Sequence, residues 1–167
     1  MASLRNIRFL LVDDSPHMHQ IVRAVLNGFD CRNLIEVRTG EEAMEALRGY
    51  KADIVLLDIQ LENESGLDLL KQIRESTDLN ISFLPVIMLT AHTEEHEVMQ
   101  ARDLGANEFC SKPVVPQTLF HRIVAVIEQP RPFVRTADYF GPDRRRKSDP
   151  LYRGPERRMR PDDSKVG

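Results

Sequence analysis

The sequence is short of cysteine and has no long hydrophobic run. Its two cysteines, Cys31 and Cys110, lack the spacing of a metal-binding motif, so we expect free thiols in a reducing compartment. Each apolar run is only a handful of residues long, whereas a helix that crosses a bilayer needs roughly 20 apolar residues. The run Phe9 to Val12 ends in two acids and does not fit a signal peptide. These absences exclude a membrane-spanning protein and predict a cytoplasmic one.

Charge is unevenly distributed along the chain. The whole sequence carries a net charge of −3, but residues 131–167 hold 11 Lys and Arg against 6 Asp and Glu, a net of +5. The first 130 residues therefore carry a net charge of −8. The composition changes at Pro130-Arg131-Pro132. We predict an acidic globular domain over residues 5–129 and a basic C-terminal arm, residues 130–167, rich in Pro, Gly and Arg.

The C-terminal arm contains the same short sequence motif twice. The first repeat, Tyr139-Phe140-Gly141-Pro142-Asp143-Arg144-Arg145, is followed thirteen residues later by the second repeat, Tyr152-Arg153-Gly154-Pro155-Glu156-Arg157-Arg158. Aromatic anchors beside arginines favour docking on folded protein. The residues expected to dock are Tyr139, Phe140, Arg144, Arg145, Tyr152, Arg157 and Arg158. A disordered extension is the second interpretation, and nucleic-acid binding is third because six acids dilute the positive charge.

Short apolar runs alternate with helical periodicity in residues 5–129. The runs are 7–12, 34–37, 53–57, 84–89 and 107–110. Predicted helices begin after Ser15-Pro16, at Thr39 and at Ser65, run from about Thr93 to Leu104, and begin again at Pro116. Parallel strands need helical crossovers, so this alternation predicts an α/β fold with a parallel sheet covered on both faces.

Chemically active residues follow four of the predicted strands. Asp13 and Asp14 end the first, Asp58 the third and Thr90 the fourth, and Lys112 follows the fifth. Taken alone, the acid pair could equally be a helix cap. Together the five residues lie at the carboxyl edge of one sheet, where such folds bind ligands. Crowded carboxylates favour a shared proton or a cation, and oxygen ligands suit Mg²⁺. The edge therefore predicts a site where Asp58 attacks phosphorus and forms an aspartyl phosphate.

The motifs at these positions resemble those of response-regulator receiver domains in two-component signalling. The segments "LLVDDS", "DIVLLDIQLENESGLDLL", "PVIMLTAH" and "GANEFCSKP" are similar to that family's motifs in order and spacing. The resemblance covers about residues 5–129. It implies a CheY-like, doubly wound fold whose five-stranded parallel sheet has the strand order 2-1-3-4-5.

The resemblance also implies roles for the acids. Asp58 would accept a phosphoryl group from the phosphohistidine of a sensor histidine kinase or a phosphotransfer protein. Asp14, Asp58 and the backbone carbonyl of Gln60 would ligate Mg²⁺, with Asp13 acting through a water. Lys112 would pair with the phosphoryl group.

Further positions carry over from the family in the same way. Thr90 and Phe109 resemble the switch pair, in which the hydroxyl moves to the phosphate and the ring turns inward. Gln60 and His92 correspond to positions that set the lifetime of the phosphoryl group. One departure stands out: Leu61-Glu62 replaces the Met-Pro that often follows the phosphorylated aspartate.

Two histidines near the acid pair carry a simpler interpretation. His17 and His19 are two residues apart on a predicted helix and do not face each other. Their spacing favours two exposed side chains over a metal site.

The expected function is that of a single-domain response regulator that signals by protein–protein contact, because no output domain follows the acidic domain. It would not be an enzyme beyond its own phosphorylation and dephosphorylation. A phosphate sink or shuttle in a phosphorelay is the alternative, and a nucleic-acid-binding regulator acting through the arm is a further one. A hydrolase of the haloacid-dehalogenase type would need a D-x-D pattern after the first strand, where this chain has Asp13-Asp14. A homodimer formed through the arm is expected, and neither a membrane nor nucleic acid is an expected partner.

Overall fold

Five parallel strands form the central sheet of the protein. The structure is a computed structural model that describes residues 4–91, 95–145 and 158–159. The strands are β1 (Arg8–Val12), β2 (Asn33–Val37), β3 (Ile54–Asp58), β4 (Val86–Thr90) and β5 (Glu108–Ser111). Their order in the sheet is β2-β1-β3-β4-β5. The strand order changes direction between β1 and β3, which is where doubly wound folds place their ligand sites. The predicted fold class and strand order are confirmed.

Helices cover both faces of this sheet. They are α1 (Pro16–Gly28), α2 (Gly40–Gly49), α3 (Gly66–Glu75), α4 (Leu79–Ser82), α5 (Glu95–Asp103) and α6 (Pro116–Glu128). Successive strand residues point to opposite faces, so Leu10 belongs to the core cluster beneath α2, α3 and α5, whereas Leu11 belongs to the cluster beneath α1 and α6. The short helix α4 is not predicted by the sequence pattern. Among the helices that the structure describes, none is both long and apolar enough to cross a bilayer.

Hydroxyl side chains cap the N-termini of three of the described helices. The hydroxyls of Ser15, Thr39 and Ser65 each accept a hydrogen bond from a backbone N–H in the first turn of α1, α2 and α3. Each cap satisfies a donor that has no partner within its helix. Helices α1 and α3 each follow a strand whose carboxyl end carries residues of the candidate site.

A second, smaller sheet lies in the C-terminal arm. Its strands are β6 (Phe133–Arg135), β7 (Phe140–Pro142) and β8 (Arg158–Met159), in the order β7-β6-β8. All pairings are antiparallel. We call residues 133–142, which form β6, β7 and their turn, the arm hairpin. The sequence pattern predicts no strands in this region.

Candidate functional site

Three carboxylates meet at the carboxyl edge of the central sheet. Asp13 follows β1, Asp14 comes next, and Asp58 ends β3, which pairs with β1. One carboxylate oxygen from each residue lies within 4.8 Å of those of the other two. Asp13 is fully buried, Asp58 is 7% exposed and Asp14 is half-buried. We call Asp13, Asp14 and Asp58 the acidic cluster.

Lys112 places a positive charge within the acidic cluster. Its Nζ lies 3.0 Å from Asp13 Oδ2 and 2.8 Å from Asp58 Oδ2. Its backbone N–H donates to the carbonyl of Thr90 at 2.7 Å, which ties the end of β5 to the end of β4. The ammonium thus bridges two buried carboxylates that would otherwise repel each other.

At the acidic cluster, burial and the attraction between opposite charges shift the pKa values in opposite directions. Burial, together with the charge of Asp13, raises the pKa of Asp58 above its ordinary value, although hydrogen bonds from Lys112 and Gln60 act in the opposite direction. Burial alone would lower the pKa of Lys112, but its hydrogen bonds to Asp58 and Asp13 outweigh that effect and the pKa is raised. One ammonium therefore compensates only part of the negative charge that the cluster gathers.

The cluster has the donor set of a site for a hard divalent cation. Each of the three residues offers an oxygen, and the spacing allows one ion to contact all of them. Oxygen-only ligands of this kind suit Mg²⁺ and Ca²⁺ better than softer metals. The residues present fit such an ion, which would also relieve the repulsion that Lys112 leaves uncompensated.

The chain passes very close to Asp58 at the start of α3. A Cβ placed on Gly66 would lie 1.9 Å from the carbonyl oxygen of Asp58, and the N–H of Gly66 donates to the carbonyl of Ile59 at 2.7 Å. Only glycine allows this approach. The N–H of Gln60 donates to Asp58 Oδ1 at 3.1 Å. These contacts explain why a glycine eight residues after Asp58 belongs to the motif.

The β3–α3 loop is held in place by contacts of Leu61 and Glu64. Leu61 is buried in the core, and its N–H donates to the carbonyl of Glu64 at 3.1 Å. The carboxylate of Glu64 accepts a hydrogen bond of 2.6 Å from the N–H of Gly40 at the start of α2. The partial positive charge at the N-terminus of α2 strengthens this hydrogen bond to a carboxylate. The Leu61-Glu62 departure is therefore accompanied by a link from the loop to a neighbouring helix.

The two proposed switch residues lie on adjacent strands, Thr90 at the end of β4 and Phe109 two positions before the end of β5. Thr90 is 5% exposed at the end of β4. Phe109 is half-buried and packs against the core beneath α2, α3 and α5, while Cys110 is buried on the other face. Gln60 is exposed beside Asp58, but His92 lies outside the described residues. The structure thus places Gln60 and leaves His92 a sequence-based prediction.

The two histidines of α1 differ from the sequence-based expectation. His17 is exposed, as expected, but His19 is buried and its Nε2 lies 2.5 Å from the carbonyl oxygen of Asp13. The expectation was wrong for His19 because it weighed only the spacing between the two histidines. His19 lies three and seven residues before Val22 and Leu26, which places it on the buried face of the helix.

The first repeat of the arm docks on the chain's own domain. Tyr139 is buried, and its hydroxyl donates to the carbonyl of Pro142 at 2.7 Å. The guanidinium of Arg144 covers the Tyr139 ring at 4.7 Å and donates to Asp103 of α5 at 2.8 Å. Arg145 hydrogen-bonds to Asp143, within the repeat itself.

Aromatic packing and a backbone contact complete this docking. The rings of Phe133 and Phe140 lie 4.8 and 5.1 Å from that of Phe83, which follows α4. A Cβ on Gly141 would lie 2.6 Å from Cα of Gly105, and one on Gly105 would lie 2.7 Å from the carbonyl oxygen of Phe140. Gly105 also has a φ of +99°, which favours glycine. The arm hairpin and the domain therefore touch backbone to backbone.

Arg74 is buried beneath the arm hairpin. Its guanidinium donates to the carbonyls of Gly105, Ser82 and Leu84 and to the side chain of Asn107, at 2.8–2.9 Å. The ring of Phe133 covers it at 5.0 Å. Burial lowers the pKa of Arg74 to about 9, so it stays charged at neutral pH. Its charge is balanced by the carbonyl ends of α4 and α5, where a cation is favoured.

The arm hairpin and the acidic cluster lie at opposite edges of the central sheet. Asn107 directly precedes β5 and Leu84 lies just before β4, so Arg74 and the hairpin occupy the amino edge. Of the second repeat, the structure describes only the backbone of Arg158, in β8. Tyr152 and Arg157 lie outside the described residues, and their docking stays a prediction.

Comparison with known proteins matches this architecture. A family model for the response regulator receiver domain matches residues 9–124. The chemotaxis protein CheY-3 of Vibrio cholerae serotype O1 is 31% identical over 125 residues, which cover 75% of this chain and 95% of the relative. The DNA-binding response regulator MtrA of Mycolicibacterium smegmatis is 32% identical over 118 residues, 71% of this chain and 49% of the relative. The solved structure of the chemotaxis response regulator CheY4 of Vibrio cholerae has a TM-score of 0.65 at 25% identity, covering 72% of this chain and 98% of that one.

Proposed function

The chain belongs to the response regulator receiver domain family of two-component signalling, and from that premise we propose that Asp58 is its phosphoacceptor. The phosphoryl group would come from a sensor histidine kinase or a phosphotransfer protein. The phosphorylated domain would then signal by contact with another protein. It would turn over no substrate beyond its own phosphorylation and dephosphorylation.

One observation carries this proposal: Lys112 reaches Asp13 and Asp58 together, at 3.0 and 2.8 Å. A phosphoryl group on Asp58 would add negative charge at the point where the ammonium already lies. A preorganised cation stabilises charge that develops during transfer. Asp58 alone could be a structural carboxylate, whereas Asp58 held by a lysine within an acidic cluster has the parts of a phosphoryl-transfer site.

The proposed transfer assigns a role to each residue. An oxygen of Asp58 attacks the phosphorus of a phosphohistidine, the P–N bond breaks, and the imidazole leaves with its electron pair. Lys112 offsets charge on the phosphoryl oxygens, and the hydroxyl of Thr90 donates to one of them. Asp14, Asp58 and the carbonyl of Gln60 would hold Mg²⁺, with Asp13 acting through a water. The ion would supply a positive charge that keeps Asp58 ionised and neutralises the phosphoryl oxygens.

A transfer assay tests this function. We expect the wild-type chain to acquire acid-labile phosphate from a phosphorylated kinase in Mg²⁺, and Asp58→Asn to acquire none. Asp138→Asn, which changes an exposed carboxylate in the arm hairpin, is the matched control and should be phosphorylated normally. Phosphate on Asp58→Asn above background would overturn the assignment.

We further propose that the arm hairpin can dock on a second copy of the chain and so form a homodimer. The contacts of the first repeat are self-complementary with the domain, and an exchange of arms would preserve them in a two-fold assembly. The arm carries a net charge of about +5 and the preceding residues −8, which favours encounter between copies. Pro130 and Pro132 stiffen the connection between α6 and β6.

Sedimentation measurements test the dimer. The variant Gly141→Val places a side chain against Cα of Gly105 and should undock the hairpin, whereas Gly28→Val changes a glycine with nothing within 4 Å of its Cβ position. We expect a concentration-dependent dimer for wild type and Gly28→Val, and a monomer for Gly141→Val. A wild-type chain that stays monomeric at every concentration would contradict the exchange. Added DNA should change none of these masses.

The chain's location in the cytoplasm is also part of this proposal. Cys31 and Cys110 are both buried free thiols, which supports a reducing compartment.

A further inference from the structure

His19 is a buried side chain for which the proposed phosphoryl chemistry has no role. It lies in the second turn of α1, is 8% exposed, and shares the buried face of that helix with Val22 and Leu26. Its Nε2 lies 2.5 Å from the carbonyl oxygen of Asp13. A polar side chain in this position needs a partner, and its partner here is the backbone of the acidic cluster.

This contact completes the hydrogen bonding of Asp13. The N–H of Asp13 donates to the carbonyl of Val37 at 3.1 Å. Its carboxylate accepts from the N–H of Ser15 at 2.9 Å and from Lys112 at 3.0 Å. The carbonyl oxygen is the remaining polar atom, and His19 satisfies it. Asp13 is fully buried, so each of these bonds replaces one that water would have made.

The geometry also assigns the tautomer of His19. A carbonyl oxygen can only accept a hydrogen bond, so Nε2 must carry the proton that is donated to Asp13. The bond fixes the carbonyl of the peptide that joins Asp13 to Asp14. Because a peptide unit is planar, fixing its carbonyl also fixes the direction in which the chain enters Asp14.

We propose that His19 is a positioning residue for the acidic cluster. Its Nε2–H holds the Asp13–Asp14 peptide so that the Asp14 carboxylate faces Asp58 at the spacing a divalent cation needs. The use of that spacing rests on the proposed function, whereas the hydrogen bond and the tautomer do not. Partners that orient metal ligands typically affect metal affinity by 10- to 100-fold when they are removed.

Two substitutions separate the hydrogen bond from the packing of the side chain. His19→Leu fills the buried space but removes the donor, and His19→Gln retains an amide N–H that can reach the same carbonyl. His17→Leu is the matched control, because His17 lies on the exposed face of the same helix. Calorimetric titration of each full-length protein with MgCl₂ gives the dissociation constant, and thermal unfolding in EDTA gives the metal-free stability.

We expect His19→Leu to bind Mg²⁺ at least about tenfold more weakly than wild type. His19→Gln should restore most of the affinity, and His17→Leu should match wild type. Magnesium binding by His19→Leu that equals wild type would overturn the positioning role. Equal loss in His19→Leu and His19→Gln would also overturn it, because packing and not the donor would then be at fault.

The tautomer provides a measurement that does not depend on the metal. In the metal-free wild-type protein, nitrogen-15 spectra of the imidazole should show His19 protonated on Nε2. Protonation on Nδ1 alone would overturn the inference even if Mg²⁺ binds normally. Failure of the wild-type chain to bind Mg²⁺, with His19 still protonated on Nε2, would instead count against the proposed function.

Discussion

At the scale of single residues, the buried surroundings of Asp58 disfavour the ionised form of its carboxyl group. Burial outweighs Lys112 and raises the pKa of Asp58, so the folded chain keeps a proton at pH values where the unfolded chain has lost it. Stability therefore falls as pH rises from the ordinary carboxyl pKa through the raised one, and the full cost is present above it. The carboxylate best suited to attack phosphorus is thus a destabilising one in metal-free protein.

Asp58→Asn should remove this cost. In EDTA we expect the substitution to raise the melting temperature at pH 7, and the gain should shrink as the pH falls below the ordinary Asp pKa of about 3.9, where both states bind the proton. Asp138→Asn is the exposed control and should show no such trend. A gain that stays constant with pH would mean that the Asp58 carboxylate does not titrate as its surroundings imply.

Gly66 is the residue whose replacement should do most harm near the site. A Cβ would meet the backbone oxygen of Asp58 at 1.9 Å, and backbone cannot yield as a flexible side chain can. Gly66→Ala should cost about 3 kcal/mol in urea unfolding, at the upper end for an overpacked site. Gly28→Ala, at the end of α1 with nothing within 4 Å, should be neutral or stabilise by about 0.5 kcal/mol. Similar effects from the two substitutions would contradict the close approach.

At the scale of elements, the β3–α3 loop and helix α2 depend on each other through one side chain. Glu64 accepts from the N–H of Gly40, so it caps α2 and anchors the loop that carries Gln60. Glu64→Ala should cost about 1 kcal/mol of stability and make the phosphoryl group on Asp58 less long-lived, because the loop that carries Gln60 loosens. Glu62→Ala, an exposed change in the same loop, should alter neither the stability nor the lifetime. Identical decay rates in all three proteins would leave Glu64 with a purely local role.

The sequence could predict the strands and helices of this structure better than the contacts between distant loops. Apolar runs and caps predicted the five strands, and the strand ends predicted which residues would meet, because both depend on short-range periodicity and a general rule of parallel sheets. The burial of His19 was within reach, since its spacing from Val22 and Leu26 is visible in the sequence. The hydrogen bond between Glu64 and Gly40 and the burial of Arg74 could not be predicted in this way. Both depend on where loops distant in sequence come together, and no local pattern encodes that.

At the scale of the whole molecule, the arm hairpin extends the domain beyond the boundary that composition suggests. Truncation after Glu128 would remove Phe133, Tyr139 and Phe140 and uncover Arg74 and Phe83. We expect a folded chain that is less stable by about 3 kcal/mol, from the apolar area lost. Truncation after Arg145 keeps the arm hairpin and should lose much less. Both should still accept phosphate, because the acidic cluster lies at the opposite edge of the sheet. A stability that is unchanged after Glu128 would show that the hairpin contributes nothing to the fold.

The burial of Arg74 gives the molecule an internal reporter. Reagents that label guanidinium groups, such as phenylglyoxal, need direct access to the nitrogens, and here all of that access is closed by carbonyl oxygens and the ring of Phe133. Labelling of Arg74 therefore measures the fraction of chains in which the arm hairpin has separated from the domain. Peptide mass spectrometry could read that fraction in a cell extract, before and after phosphorylation, without attaching any probe to the protein.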